Sequence, residues 1–442
     1  MAAPEPTTEL PIREGENNAA AEQKIDPWAV QAARDEQGNA VAFDYLAISQ
    51  KWATKLIDDD LLQRFTRLTG HAPHRWLRRG LFFSHRDFDK ILDKYEAGEP
   101  FFLYTGRGPS SDALHLGHTI PFTFTKWLQD VFDVPLVIML TDDEKALFKE
   151  GLSFEDAHKY ALQNAKDIIA CGFDLKKTFI YSDLEYLKDD FLMNAWEFAT
   201  LIPFNQVRGA FGFHESTNIG RIMFPAVQCA AAFATSYPAI WSDNPPVERS
   251  KAIAKIHCLI PMGIDQDPYF RLVRDNAHRM KFPSPKPALI HSKFLTALQG
   301  SGGKMSSSDP NSAIFMTDTP NQIKNKINKH AFSGGRETVE EHRRLGGNPD
   351  VDVSFQYISY FEDDDEKLRQ VEESYRKGDL LTGELKKMAI TLLQEYVKGF
   401  QERKKEVTDE VRTQYMTPRK LEWKGNPNPT PKVKPKMKPK EK

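Results

Sequence analysis

From residue 100 the chain alternates short apolar runs with amphipathic segments. Phe101-Phe-Leu-Tyr104 and Pro135-Leu-Val-Ile-Met-Leu140 have the length and apolar content of buried strands. Between them Phe124, Trp127, Leu128 and Val131 recur at i, i+3, i+4 and i+7, one apolar face of a helix. Phe154, Ala157, Ala161, Ala165 and Ile168 repeat a helical spacing after the second run, and Thr178-Phe-Ile-Tyr181 and Cys258-Leu-Ile-Pro261 read as further strands. Strand, helix and strand with short joints predict an α/β fold in which helices wrap a parallel sheet. Near Asp350 the pattern changes. A charged run from Glu362 to Glu366 precedes a helix carrying Leu385, Met388, Ala389, Leu392, Tyr396 and Phe400, and no strand-like text returns. The expected organisation is a disordered extension over 1–24, an appended region over 25–99, a parallel-sheet domain over 100–349, a helical region over 350–424 and a disordered Lys/Pro-rich tail over 425–442.

Composition narrows the partners. With 442 residues and 40% hydrophobic content the chain can bury a large core. Lys and Arg number 60 against 62 Asp and Glu, a net charge of −2. Seven Lys and two Glu from Glu422 to Lys442 put +5 in the tail, which leaves −7 elsewhere. A uniformly basic nucleic-acid binder is excluded, and no DNA partner is expected. Three cysteines, Cys171, Cys229 and Cys258, form no CxxC pair, which suits a reducing compartment. Apolar stretches such as Val134 to Leu140 are far shorter than a membrane span, and the acidic N-terminus lacks the character of a targeting peptide. A cytoplasmic protein without a membrane partner is expected. His71, His74 and His85 lack a suitably spaced fourth ligand, so no metal site is expected there.

The densest chemistry lies in Tyr104-Thr-Gly-Arg-Gly-Pro-Ser-Ser-Asp-Ala-Leu-His115-Leu-Gly-His118. Pro121 is tolerated in a first helical turn, so the helix is expected to start near Gly117 with both histidines at its N-terminal end. Unpaired N–H groups and the positive end of the helix suit a phosphate there, and the two imidazoles can donate to its oxygens. Gly106 and Gly108 let backbone approach a ligand, and Gly117 leaves room for a flat base. The alternative is that both histidines only cap the helix. A second cluster, Gly300-Ser-Gly-Gly-Lys304-Met-Ser-Ser-Ser308-Asp-Pro, reads as a flexible cationic loop able to close over a triphosphate, or else as a solvated linker. A P-loop is excluded because Leu298 stands where its first glycine belongs, and Gly106-Arg-Gly108 lacks the third glycine of a dinucleotide fingerprint.

HLGH and KMSSS together resemble the two signature motifs of the class I aminoacyl-tRNA synthetases. Flanking segments, among them LTDDEK, NAKDIIACGFD, GIDQDPYFR, KPALIHS, NKHAFSGGR and MTPRKL, resemble the eukaryotic, fungal-type cytosolic branch that handles tryptophan, over residues 25 to 424. The resemblance implies a Rossmann-like catalytic domain, a C-terminal helical anticodon-binding domain, a homodimer, ATP with Mg2+, and tryptophan and tRNA(Trp) as partners. It implies that His115, His118 and Lys304 brace the phosphates during activation. Thr105, Gly106, Gly108, Lys145, Gly263, Met305 and Ser306 would also contact ATP. Tyr104, Glu144, Gln228 and Gln266 would hold the amino acid, from positions expected at strand ends. Two departures stand out. Met139 occupies the place of a Gln that helps read the indole nitrogen in animal members, and Ser307 replaces a second loop lysine. A tyrosine-specific enzyme of the same class, a small-molecule adenylyltransferase and a catalytically silent tRNA-binding relative are the competing readings. Arg75, Arg78 and Arg79 form a basic stretch that could attract the tRNA backbone or simply be solvated.

Overall fold

The computed structural model describes residues 23–25, 30–33, 41, 43–241, 251–306 and 309–426, with backbone only at Lys24, Gln31 and 301–304. Residues 1–22 of the expected extension and 427–442 of the expected tail lie outside the described residues. Lys24, the last residue of that extension, pairs with Gln31 in a two-residue ladder.

Seven strands form the central sheet: β1 (Lys55–Leu56), β2 (Phe82–Arg86), β3 (Phe101–Arg107), β4 (Leu136–Leu140), β5 (Thr178–Ser182), β6 (His257–Gly263) and β7 (Ala288–Ser292). Their spatial order is β1-β2-β7-β6-β3-β4-β5. From β7 to β5 every pairing is parallel, whereas β2 pairs antiparallel with both β1 and β7. The four strands expected from the sequence are all present. The residues between 25 and 99 add two antiparallel strands at one side of the sheet, β1 at its edge, which the sequence pattern did not predict. Parallel strands covered on both faces must be apolar throughout rather than alternating, and β4 is buried along its whole length. Leu103 and Ile138 face one core with the helix Leu116–Phe132. Phe102, Tyr104, Val137 and Met139 face the other with the helix Ile219–Ala230.

The first core does not stop at residue 350. It runs from Phe65 and Trp76 through the sheet to Val353, Tyr357, Leu393 and Phe400. Beyond residue 350 the described residues form only helices: Val353–Phe361, Asp365–Lys377, Thr382–Lys405 and Asp409–Met416. The Tyr396 hydroxyl lies 3.0 Å from Thr119 Oγ1 and 3.1 Å from Thr123 Oγ1, on the helix that starts at HLGH. The basic stretch is tied to the helical region, with Arg75 and Arg79 largely covered and Arg78 still exposed. Arg75 Nε and Trp76 Nε1 donate to the Tyr360 carbonyl, Arg79 donates to the carbonyls of Ser359 and Glu362, and Arg78 and Arg79 both pair with Asp365. Those carbonyls lie at and just beyond the end of helix Val353–Phe361, where cations are favoured. His74 and His85 accept backbone N–H bonds from Trp76 and Phe88. Burial, aided by the neighbouring arginines, pushes His74 down to about 3.

Asp267 opens the helix Asp267–Asn276 directly after β6 and its short loop, and it is fully buried. Arg86 from β2 donates two hydrogen bonds to it, at 2.8 and 2.9 Å, and His291 Nε2 from β7 lies 3.1 Å away. The other nitrogen of His291 meets Ser84 Oγ at 3.0 Å. Burial alone would raise the Asp267 pKa, but the bonds from His291 and Arg86 overcome it and hold the carboxyl well below the usual range. Removing one partner of a buried pair strands the others, so Asp267→Ala should cost about 3–5 kcal/mol in urea unfolding. Because the folded pKa is depressed, the wild-type contribution is complete above about pH 4 and fades as pH falls through that lower pKa. Acid titration of unfolding should therefore be steeper for the wild type than for the variant.

Candidate functional site

The order of the strands reverses between β3 and β6, since β4 and β5 extend the sheet on one side of β3 and β6 lies on the other. Open α/β sheets bind ligands outside the carboxyl ends of strands at such a switch point. A cleft of about 300 Å3 opens there. It is lined by the end of β3, the start of helix Leu116–Phe132, the start of helix Asp142–Phe148, the loop after β6 and the residues after β7.

One wall is the HLGH turn. His115 is extended (φ −106°, ψ 168°) and the helix begins at Leu116, one residue before the expected start. Pro121 therefore falls in the second turn rather than the first. The His115 and His118 rings stack with centroids 3.4 Å apart, and His118 Nδ1 accepts the His115 backbone N–H at 3.3 Å. Capping and ligand contact are thus not exclusive, because the capped histidines both line the cleft. A Cβ on Gly117 would lie 3.1 Å from His115 Cε1 and 3.6 Å from Met305 Sδ, so glycine here first accommodates those two side chains. The segment after the KMSSS loop straps the same turn. Leu116 N–H donates to the Ile314 carbonyl and Met316 N–H to the Leu114 carbonyl, both at 2.9 Å.

The opposite wall is polar and acidic. Glu144 is buried in the first turn of its helix, where a carboxylate is favoured. It accepts from Lys145 Nζ at 2.9 Å and from the Thr141 hydroxyl at 3.0 Å. Gly108 is needed for this arrangement, because a Cβ there would sit 2.0 Å from Lys145 Cε. A Cβ on Gly263 would lie 2.7 Å from Asp265 Oδ1. At the floor, Tyr104 meets Phe270 edge-on with centroids 6.0 Å apart, and Phe224 and Tyr269 complete an aromatic slot. The Tyr104 hydroxyl accepts from Gln228 Nε2 and donates to Met139 Sδ at 3.2 Å. Burial drives the Tyr104 pKa well above its ordinary value, so the phenol keeps its proton.

Twelve of the fourteen residues named from the sequence line this one cleft: Tyr104, Thr105, Gly106, Gly108, His115, His118, Glu144, Lys145, Gln228, Gly263, Gln266 and Met305. Ser306 does not. Its backbone N–H donates to Ser312 Oγ outside the lining. Lys304 ends the strand Gly300–Lys304, which pairs with Thr296–Ala297, and only its backbone is described. Gln228 does not come from a strand end as expected. It is carried by the helix Ile219–Ala230. Two cations were missed. Arg107 has Nε and Nη2 buried without hydrogen-bond partners among the described residues, and burial pushes its pKa down to about 10. Its place between Gly106 and Gly108 was the available signal. Lys293 also lines the cleft with its pKa lowered by burial, and nothing in its sequence neighbourhood marks it. Both suit an anionic ligand.

A model of the family described as tRNA synthetases class I (W and Y) matches residues 96–398. The chain is similar to the cytoplasmic tryptophan--tRNA ligase of Homo sapiens, 55% identical over 404 residues, covering 91% of this chain and 82% of that protein. It is 52% identical over 414 residues to the cytoplasmic tryptophan--tRNA ligase of Saccharomyces cerevisiae, covering 93% of each. The solved tryptophanyl-tRNA synthetase from Giardia lamblia superposes with a TM-score of 0.80 at 45% identity, covering 86% of this chain and 97% of that one.

Behind Glu144, the buried carboxyls of Asp143 and Asp183 face each other. No N–H or hydroxyl among the described residues reaches either oxygen of Asp183. Burial raises both pKa values, and their mutual repulsion raises that of Asp183 further. A raised folded pKa gives stability that is complete below the unfolded value and is lost as pH rises through the folded one. Asp183→Asn should therefore flatten the decline in unfolding free energy between about pH 4 and neutrality, and gain about 1–3 kcal/mol over the wild type at the neutral end. Urea melts across that range measure the slope.

Proposed function

The chain belongs to the class I tRNA synthetase family of tryptophan and tyrosine, and on that footing we propose that it activates tryptophan with ATP and transfers it to tRNA. The observation that carries the reading is the meeting, in one cleft, of a phosphate-suited helix start at His115–His118 with an aromatic slot and the polar groups of Tyr104, Glu144 and Gln228.

In the first step a carboxylate oxygen of tryptophan attacks the α-phosphorus of ATP. The new O–P bond forms as the bond to the bridging oxygen breaks, and pyrophosphate leaves with that electron pair. Such a displacement needs alignment and charge stabilisation rather than a side-chain nucleophile. Glu144 pairs with the substrate ammonium, which takes over from Lys145 as its cationic partner and leaves that lysine for ATP. Gln228 and Gln266 hydrogen-bond the amino acid, and the slot around Phe270 takes the indole. Thr105, Gly106, Gly108 and Gly263 line the nucleotide. His115 and His118 donate to phosphate oxygens, and Arg107 and Lys293 add positive charge nearby. Lys304, the last residue of its strand, holds the β- and γ-phosphates, with Met305 and Ser306 following it. Among the described residues no three His, Cys, Asp or Glu side chains gather as a metal site, and Mg2+ would enter with the triphosphate and offset its charge there. In the second step a terminal ribose hydroxyl of the tRNA attacks the adenylate carbonyl and AMP leaves.

Residues 100–349 then form the catalytic region and 350–424 the anticodon-binding one. A homodimer is supported by exposed Met193, Trp196 and Phe204 on neighbouring helices. Cytoplasmic residence accords with the names of the relatives, and no helix among the described residues is long and apolar enough to cross a membrane.

ATP–pyrophosphate exchange with each of the twenty amino acids tests the activity. Exchange with tryptophan alone is expected. Exchange with tyrosine would reassign the slot, and silence with all twenty would remove the enzymatic reading. Lys304→Ala should slow tryptophan-dependent exchange about 10²–10³-fold while tryptophan binding without ATP stays near the wild type. An equal loss in both would take the loop away from the phosphates.

A further inference from the structure

Resting on the tryptophan reading of the cleft, the geometry points to Met139 as the residue that sets indole specificity without touching the indole. Its sulfur accepts the hydrogen bond that the Tyr104 hydroxyl donates, so the hydroxyl offered to the substrate can only accept a hydrogen bond.

Met139 lies in β4, fully buried, in register with Gly106 on β3. It does not belong to the cleft lining, whereas Tyr104 and Gln228 do. A phenol hydroxyl carries one proton and two lone pairs, and a thioether sulfur can only accept. The proton is committed to Met139 Sδ at 3.2 Å, and one lone pair is filled by Gln228 Nε2, itself 3.8 Å from the sulfur. One lone pair remains. It matches an indole N–H, which is a donor only, and offers nothing to a ring heteroatom that carries no hydrogen. Gly106 lies directly beside the contact, where a Cβ would come 3.3 Å from the Met139 carbonyl oxygen and into ordinary van der Waals contact with the Tyr104 hydroxyl. Phe270 steadies the tyrosine ring from the other side. Replacing the sulfur with carbon would leave the hydroxyl proton without its acceptor. It would then turn toward the cleft and compete with the indole N–H for the same oxygen.

Pyrophosphate exchange with tryptophan and with β-(benzothiophen-3-yl)alanine, which has sulfur in place of the N–H, tests the assignment. The wild type should prefer tryptophan by at least about 30-fold in kcat/KM. Met139→Leu should cut that preference about 5- to 10-fold through a higher KM for tryptophan, with kcat nearly unchanged. Met139→Gln, whose amide oxygen can accept the same proton, should restore the preference. In a Tyr104→Phe background the Leu substitution should move the ratio less than about twofold. An unchanged ratio in Met139→Leu, or the same change in the Phe background, would mean that Met139 acts by packing alone. A wild-type preference below about twofold overturns the assignment without any variant, so a misfolded Leu protein cannot shelter it. Wild-type exchange with neither amino acid would instead fail the underlying tryptophan reading, and the assignment with it.

Discussion

The cleft depends on one buried carboxylate that never enters it. Asp267 begins the helix after β6, and the residue before it is Gln266, at the end of the loop that closes one side of the site. Arg86 and His291 reach Asp267 from two neighbouring strands, so the loop is held to the sheet by charge rather than by its own short hydrogen bonds. Arg86 Nη2 also donates to the Trp52 carbonyl, which draws the N-terminal segment into the same cluster. A buried ion pair gains specificity of arrangement more surely than stability. Here the arrangement gained is the position of a ligand-facing loop.

A second constraint joins the two motifs. His115 and Lys304 are far apart in sequence, yet Leu114 and Leu116 pair with Ile314 and Met316 on the far side of the KMSSS loop. Met305 packs toward Gly117 from the near side. The segments on both sides of the loop are therefore anchored to the same HLGH turn.

Much of this was legible because strands and ligand motifs leave local marks. The apolar runs at Phe101, Pro135, Thr178 and Cys258 name four sheet strands directly, and glycines mark the approach to the cleft. What stayed hidden depended on distant partners. Arg75, Arg78 and Arg79 look like a nucleic-acid patch until Ser359, Tyr360 and Glu362 supply their carbonyls. Gln228 gives no local sign that a helix, rather than a strand end, delivers it. β1 and β2 are short antiparallel strands at one side of the sheet, β2 held in register by β7 and β1 by β2, so their own text is too brief to announce them. Pro121 misled by one residue because a proline beyond the first turn forfeits a single bond that the surrounding core outweighs.

The hydroxyl of Tyr396 on Thr119 and Thr123 gives the helical end of the molecule a mechanical bearing on the reaction centre. Because the apolar core passes uninterrupted beneath that contact, the two ends are parts of one shaft rather than two bodies on a swivel. Helix Thr382–Lys405 is therefore tied by packed side chains, and not by a flexible linker, to the helix that begins after His115 and carries His118.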